Sequence, residues 1–242
     1  MRRVVGISSF VVVGTMLLEG ARAMLLGHRP MLDQTEALIQ YQQDTATGML
    51  VVITIDTFLM TALIVFLGAF RQLVVETRRD LGWIADIAFG AGIVFVGVTL
   101  VGDAMAGGAA LDTIGTTPDG SSIRALTVGH ILMFGVVGGV LTALVMCAFA
   151  VIVLNTHLLP RWVGFAAFAL AATNMLTVPT TFLGTDPDFW ASAGGWATTA
   201  LATTPFLLWT GIVGVLTIRG QRHHDAKQRH RAAVEAGSGA TA

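Results

Sequence analysis

The sequence has little charge and little of the chemistry that soluble proteins use. Only 12% of its 242 residues are charged, against roughly 25% in an ordinary soluble domain. Cys147 is the only cysteine, which excludes a disulfide framework and a cluster of thiolate metal ligands. A net charge of −1 provides no basic surface, so we expect no nucleic-acid partner.

Familiar cofactor and catalytic motifs are also missing. The only lysine, Lys227, lies in the C-terminal tail, which excludes a retinal Schiff base. No two histidines lie at transmembrane depth on two helices to ligate haem. There is no His-Glu-x-x-His pair, no nucleophile with a plausible base and no phosphate-binding glycine loop. We therefore predict no metal and no cofactor.

What the chain does contain is long apolar runs. Six runs reach the length of roughly 20 residues that a transmembrane helix needs. They cover roughly residues 4–26, 48–70, 82–104, 129–154, 162–183 and 196–218. The sequence therefore predicts an all-α, six-transmembrane-helix bundle over residues 1–218. A basic, disordered tail over residues 219–242 is expected to follow.

The distribution of arginine predicts the orientation, because basic residues near span ends are retained in the cytoplasm. Most arginines fall on one side of a six-span arrangement, while most acidic residues of the connections fall on the other. Both termini are therefore predicted to be cytoplasmic. The first run has a second interpretation, because Arg2-Arg3 and the apolar stretch before Ala21-Arg22-Ala23 resemble a cleaved signal peptide. The continuation of the run through Met24 favours a retained span.

The first outer connection contains Asp33-Gln34-Thr35-Glu36, which is similar to a capping box. It predicts a short helix through Tyr41 that lies on the outer membrane surface as a partial lid, or else a solvated connector. Two pairs of small residues, Gly135 with Gly139 and Ala167 with Ala171, are typical of close helix packing.

Two acidic residues lie inside the predicted spans. A carboxylate at mid-helix costs roughly 2.5–3.5 kcal/mol, so it faces the bundle interior, pairs or takes up a proton. Glu19 and Arg22 are spaced to pair on one helix face. Asp56 has no basic neighbour one turn away. Glu19 and Asp56 lie at similar depth, about 6 Å and about 4.5 Å outside their span midpoints. They could therefore meet each other, or both could share Arg22, and they are the candidate proton donor and acceptor.

Other polar residues are candidates for lining an outward-opening cavity or for hydrogen bonding between helices. They are His130, Asn174, Thr203 and Thr204. Asp86 is expected to be neutralised by Arg78 and Arg79, and Asp103, at the end of its span, is expected to reach water. Neither is predicted to take part in chemistry.

Three functions fit this distribution. The first is the binding or transport of a lipophilic or cationic small molecule, with proton coupling as an option. The second is an intramembrane isomerase or cyclase that acts on an isoprenoid or another lipid through carboxyl acid–base chemistry. The third is a structural protein whose polar residues only hold helices together. Membrane lipid is the expected partner, and the oligomeric state stays open.

The stretch Ile152-Val153-Leu154-Asn155-Thr156-His157-Leu158-Leu159-Pro160-Arg161-Trp162-Val163-Gly164 precedes a helix of small residues and a last span that closes on Arg219. In this layout most of the chain resembles uncharacterised six-helix integral membrane proteins of bacteria, grouped as a domain of unknown function. The resemblance implies a six-span bundle in the bacterial plasma membrane. It carries over no catalytic residue.

Overall fold

The structure is a computed structural model that describes residues 1–115, 117–156, 158–197 and 199–220. Six helices in it are long and apolar enough to cross a membrane, and the described residues contain no strand. In chain order they are α1 (Arg2–Leu26), α2 (Thr35–Thr77), α3 (Arg79–Leu111), α4 (Gly120–Thr156), α5 (Arg161–Leu183) and α6 (Thr199–Gly220). The predicted all-α fold with six candidate membrane spans is confirmed.

The second helix is much longer than the predicted span. It is one continuous helix of 43 residues, so the residues predicted to form a separate short helix are its first turns. The predicted capping box does not form, because Gln34 precedes the helix and makes no capping bond with its side chain. Residues 42–47 contain neither proline nor glycine, and nothing interrupts the helix there.

Helices α3 and α4 also extend into the predicted connection between them. α4 begins immediately after Asp119, whose carboxylate accepts hydrogen bonds from the backbone N–H groups of Ser121 and Ser122 at 3.3 and 3.1 Å. This is the arrangement of a helix N-cap. At the other end of the chain, α6 continues through Gly220. The rest of the predicted tail, residues 221–242, lies outside the described residues.

The bundle has two distinct ends. At one of them, which we call the first-loop end, Arg29 contacts Thr185. Gly120 and Thr35 also lie close together there, since a Cβ added at Gly120 would lie 2.3 Å from Thr35. The loops α1–α2, α3–α4 and α5–α6 lie there. At the opposite, terminal end, Arg78 donates a hydrogen bond to the Asn155 carbonyl at 3.1 Å. Which end faces the cytoplasm stays a prediction.

Charges at the terminal end pair differently from the prediction. Asp86 accepts a hydrogen bond from Arg71 rather than from Arg78 or Arg79. Arg78 instead forms two hydrogen bonds with Asp80, at 2.9 and 2.7 Å. Asp80 competes successfully because it lies only two residues further along the chain.

The half of the bundle nearest the terminal end contains an aromatic core. Phe149 of α4 lies between Phe70 of α2 and Trp209 of α6, with ring centroids 4.8 and 5.1 Å away. All three side chains are buried, and Trp209 Nε1 donates to the Val163 carbonyl of α5 at 3.1 Å. One set of ring contacts and one hydrogen bond therefore join four helices.

Small residues set the closest helix approaches, and only part of the predicted pattern takes part. A Cβ added at Gly139 would lie 3.3 Å from the Asn174 carbonyl of α5, whereas one added at Gly135 would meet no atom within 4 Å. Another close contact lies between α1 and α6. A Cβ added at Gly214 would lie 1.6 Å from Ser9 Oγ.

Candidate functional site

A cavity of about 400 Å³ lies in the half of the bundle nearest the first-loop end. Its polar lining comes from α1, α2, α3, α4, α6 and the α1–α2 loop, and consists of Glu19, Arg29, Tyr41, Asp103, Thr127, His130, Thr199 and Thr203. Apolar side chains such as Val52, Ile53 and Phe134 form much of the wall. The volume falls in the range of roughly 300–1,000 Å³ that is usual for small-molecule sites.

Carboxyl groups from three helices lie at or beside this cavity, two of them in its wall and one behind it, and we call them the carboxyl cluster. Asp56 of α2 and Asp103 of α3 lie within hydrogen-bonding reach of each other. Glu19 of α1 is close enough to interact electrostatically with both. The structure thus brings together the two residues whose depths predict a meeting. It adds a third that sequence reasoning set aside.

The expectation that Asp103 reaches water is wrong. Its side chain is only 6% exposed and lines the cavity, because α3 continues to Leu111 instead of ending beside it. The signal was present in the sequence, since residues 104–111 are all alanine, glycine, methionine or leucine.

The contact between Asp56 and Asp103 has a chemical requirement. Carboxylate oxygens only accept hydrogen bonds, so a hydrogen bond between two carboxyl groups needs a proton on one of them. The Oδ2 atoms of both residues are buried and have no hydrogen-bond partner among the described residues. Asp56 is 4% exposed and does not itself line the cavity, so it lies behind Asp103.

The predicted pairing of Glu19 with Arg22 is wrong. No ion pair joins these two residues, and the Arg22 side chain is exposed while Glu19 lines the cavity. Arg22 is one turn nearer the end of α1, where a long side chain can carry its charge out of the apolar layer. The carboxyl cluster therefore has no cation within ion-pair distance among the described residues.

His130 is fixed in one tautomer beside the cluster. Its Nδ1 atom lies 3.0 Å from the Gly102 carbonyl oxygen. A carbonyl only accepts, so Nδ1 carries the hydrogen and Nε2 is left as an acceptor. The imidazole also lies against Phe134, with ring centroids 4.7 Å apart. Because Gly102 precedes Asp103, this contact holds a potential base close to the cluster.

Two π-helical turns border the cavity. One covers Met133–Val137 inside α4 and the other covers Thr199–Thr203 at the start of α6. Each places two residues on the cavity wall, Phe134 and Gly135 from the first and Thr199 and Thr203 from the second. Such turns are rare and occur frequently at functional sites.

Besides Arg22, two of the predicted binding residues lie away from the cavity. Asn174 is 1% exposed, donates from Nδ2 to the Leu170 carbonyl at 2.8 Å, and packs against Gly139. Thr204 is partly buried and does not line the cavity, although its neighbour Thr203 does. The Asn174 side chain therefore bonds within its own helix and takes no part in the cavity, which its position in the sequence does not reveal.

Arg29 is a cavity residue that sequence reasoning missed. Its Nη2 atom donates to the Thr185 carbonyl at 3.2 Å, while Nη1 is buried and has no hydrogen-bond partner among the described residues. Burial lowers the pKa of the guanidinium from its ordinary value and nearby Tyr41 opposes this shift, but arginine stays protonated in proteins. No local signal predicts this burial, because Thr185 is 156 positions away.

The α5–α6 loop closes over Arg29 through specific contacts. Gly184 has φ of +82°, a conformation that favours glycine. Asp188 pairs with His28 at 2.8 Å. A Cβ added at Gly194 would lie 2.5 Å from the Thr185 oxygen and 2.7 Å from Arg29 Nη2. Glycine at 194 therefore leaves the space that the guanidinium occupies.

Comparison of the chain with protein-family models, with curated proteins and with solved structures finds no match. The resemblance to uncharacterised bacterial six-helix proteins therefore stays a prediction. Among the described residues, no three histidine, cysteine, aspartate or glutamate side chains are grouped to hold a metal ion. The geometry itself supports a multi-pass membrane protein with a polar cavity.

Proposed function

We propose that the protein binds and transports a small amphipathic molecule with a cationic group, and that a proton leaves the carboxyl cluster when the cation binds. The observation that carries this proposal is the buried contact between Asp56 and Asp103 at a cavity with largely apolar walls. Buried ionisable groups inside a bundle mark substrate and proton pathways in membrane proteins. The apolar wall around Val52, Ile53 and Phe134 suits the non-polar part of the molecule.

The exchange follows from charge balance. Without a ligand, a hydrogen bond between the neighbouring carboxyl groups of Asp56 and Asp103 would require a proton on one of them. A ligand cation beside Asp103 neutralises the negative charge of the carboxylates in place of the proton. The proton can then leave through the cavity. Glu19, which lines the same cavity and has no ion-pair partner among the described residues, is placed to take part in this exchange.

The test uses the purified protein in lipid nanodiscs with benzyltrimethylammonium, a permanent cation that carries no proton of its own. Calorimetry in buffers of different ionisation enthalpy measures both the binding and the protons released. We expect release of a proton on binding to the wild type. Asp103→Asn should weaken binding by about ten-fold, the effect of losing one charged contact.

The matched control is Asp86→Asn, which changes an exposed aspartate at the other end of the same helix. It should bind the cation and release protons as the wild type does. Wild-type behaviour of Asp103→Asn, in a variant whose thermal unfolding shows that it is folded, would contradict the proposal. Counterflow of the labelled cation in proteoliposomes then separates transport from binding alone.

A second candidate, an intramembrane enzyme, is favoured by one specific observation. His130 Nε2 is an available base, and a proton shared between Asp103 and Asp56 would supply an acid; Asp103 and His130 line the same cavity. General acid–base catalysis on a lipid or isoprenoid needs such a pair. A new or missing lipid in cells that express the wild type, absent with His130→Gln, would favour this function over transport.

A further inference from the structure

The cavity has two chemically different regions. The carboxyl cluster contributes Glu19 and Asp103, whereas Arg29 contributes a guanidinium from the α1–α2 loop. No ion pair joins Arg29 to a carboxylate among the described residues. Arg29 interacts electrostatically with Tyr41 and His130, and neither of these two is an anion at neutral pH.

Arg29 therefore has a hydrogen-bonding requirement that the described chain leaves open. A buried donor without an acceptor is costly, and the cost is higher when the donor is charged. The guanidinium can hardly turn away, because Nη2 is held at 3.2 Å from the Thr185 carbonyl and Gly194 packs against it. The two acidic residues of that loop make contacts with other groups, since Asp188 pairs with His28 and an Asp186 oxygen accepts the Asp188 amide.

The open donor lies on the same cavity as the carboxyl cluster. Planar guanidinium groups recognise carboxylates and phosphates through directed hydrogen bonds. Cavity-lining hydroxyl groups, including that of Tyr41, can supply further donors to an anionic oxygen group. One molecule that fills this cavity can thus satisfy a fixed cation and a set of carboxyl groups together.

We propose that the ligand is a zwitterion, whose carboxylate binds Arg29 while its cationic group binds at the carboxyl cluster. This inference rests on the proposed function, because the cationic half uses the same carboxyl groups. It adds a specificity-determining residue and narrows the substrate class from organic cations to cations that carry an acid group at the other end.

The experiment uses three probes of matched shape in nanodiscs. They are ω-trimethylammonio carboxylates with three to eight methylene groups, their methyl esters, and carboxylates in which carbon replaces the ammonium nitrogen. We expect the wild type to bind the best zwitterion about ten-fold more tightly than its ester, the effect of one charge-assisted contact. Arg29→Gln should erase this preference without weakening the ester, and Arg29→Lys should keep part of it.

Controls separate charge, folding and the two proposals. Arg124→Gln removes an exposed arginine near the first-loop end and should preserve the preference. Thermal unfolding checks that Arg29→Gln is folded, since Arg29 also holds Thr185. Equal wild-type binding of zwitterion and ester, or a preference that survives Arg29→Gln, would overturn the zwitterion proposal alone. Ester binding that is absent, or unaffected by Asp103→Asn, would instead overturn the cation site.

Discussion

The two halves of the bundle use the same helices for opposite purposes. Near the terminal end, α2, α4 and α6 place Phe70, Phe149 and Trp209 in mutual contact. Near the first-loop end, these helices instead border a cavity of about 400 Å³ with acidic, basic and hydroxyl side chains. The core of the terminal half is filled by aromatic rings, whereas the core of the other half contains a cavity with polar side chains.

The difference shows how a helix bundle can contain carboxyl groups and a cavity, both of which lower its stability. Carboxyl groups in an apolar layer are unfavourable, and a cavity removes packing contacts that helices in lipid depend on. The aromatic core joins the helices on one side of the cavity, and the loop contacts of Arg29 with Thr185 and of His28 with Asp188 join them on the other. Contacts between helices therefore stabilise the bundle on both sides of the cavity, at the aromatic core and at the loops.

The largest effect on this comparison should come from the aromatic core. Phe149→Ala should lower the free energy of unfolding by about 3–5 kcal/mol, because it leaves a cavity among rings on α2 and α6. Unfolding in mixed detergent micelles measures the change. Asp103→Asn serves as the comparison in the other half and should cost far less stability. Equal losses would show that the two halves do not divide stability and function.

A smaller effect is expected from Gly194→Ala. The added Cβ would meet Arg29 Nη2 and the Thr185 oxygen, and such overpacking costs about 1–3 kcal/mol. Binding that depends on Arg29 should fall with it. The control is Gly90→Ala on an exposed face of α3, where a Cβ meets nothing within 4 Å and stability should rise by roughly 0.5–1 kcal/mol. If both variants behaved alike, the close contact at Gly194 would be irrelevant.

The smallest effect is expected at the start of α4. Hydrogen bonds from Ser121 and Ser122 lower the pKa of the exposed Asp119 carboxyl to about 2. A lowered pKa in the folded state stabilises the fold fully above the ordinary value of about 4. That contribution is lost as the pH falls from about 4 to about 2. The melting temperature of the wild type should fall more across this window than that of Asp119→Asn; parallel curves would contradict the prediction.

Much of the architecture can be predicted from the sequence, because membrane spans depend on long hydrophobic runs and these are visible in the sequence. Six apolar runs predict six helices, and the similar depths of Glu19 and Asp56 predict their convergence. The exact helix bounds do not follow in the same way. Residues 42–47, of which all but Ala46 are polar, continue α2 without a break, which a hydropathy pattern does not reveal.

The rest of the candidate site depends on contacts between distant parts of the chain. The apolar run predicts Asp103 at the end of its span, but α3 continues beyond it to Leu111. Arg29 becomes a cavity residue only because the loop near Thr185 folds against it. The predicted partnership of Glu19 with Arg22 failed because helical spacing permits a contact without requiring it. The spacing of residues along one helix therefore predicted less about this site than the membrane depth of residues on different helices.

The length of α2 has a consequence for how a molecule reaches Asp103. A helix of 43 residues is about 64 Å long at 1.5 Å per residue, roughly twice the hydrocarbon thickness of about 30 Å. If Asp56 lies about 4.5 Å outside the bilayer centre, as its apolar run predicts, Tyr41 lies about 25 Å from that centre even at a tilt of about 20°. The cavity rim then stands among lipid headgroups and water. The proposed ligand could then enter the cavity from the aqueous side, along α2, without dissolving in the lipid.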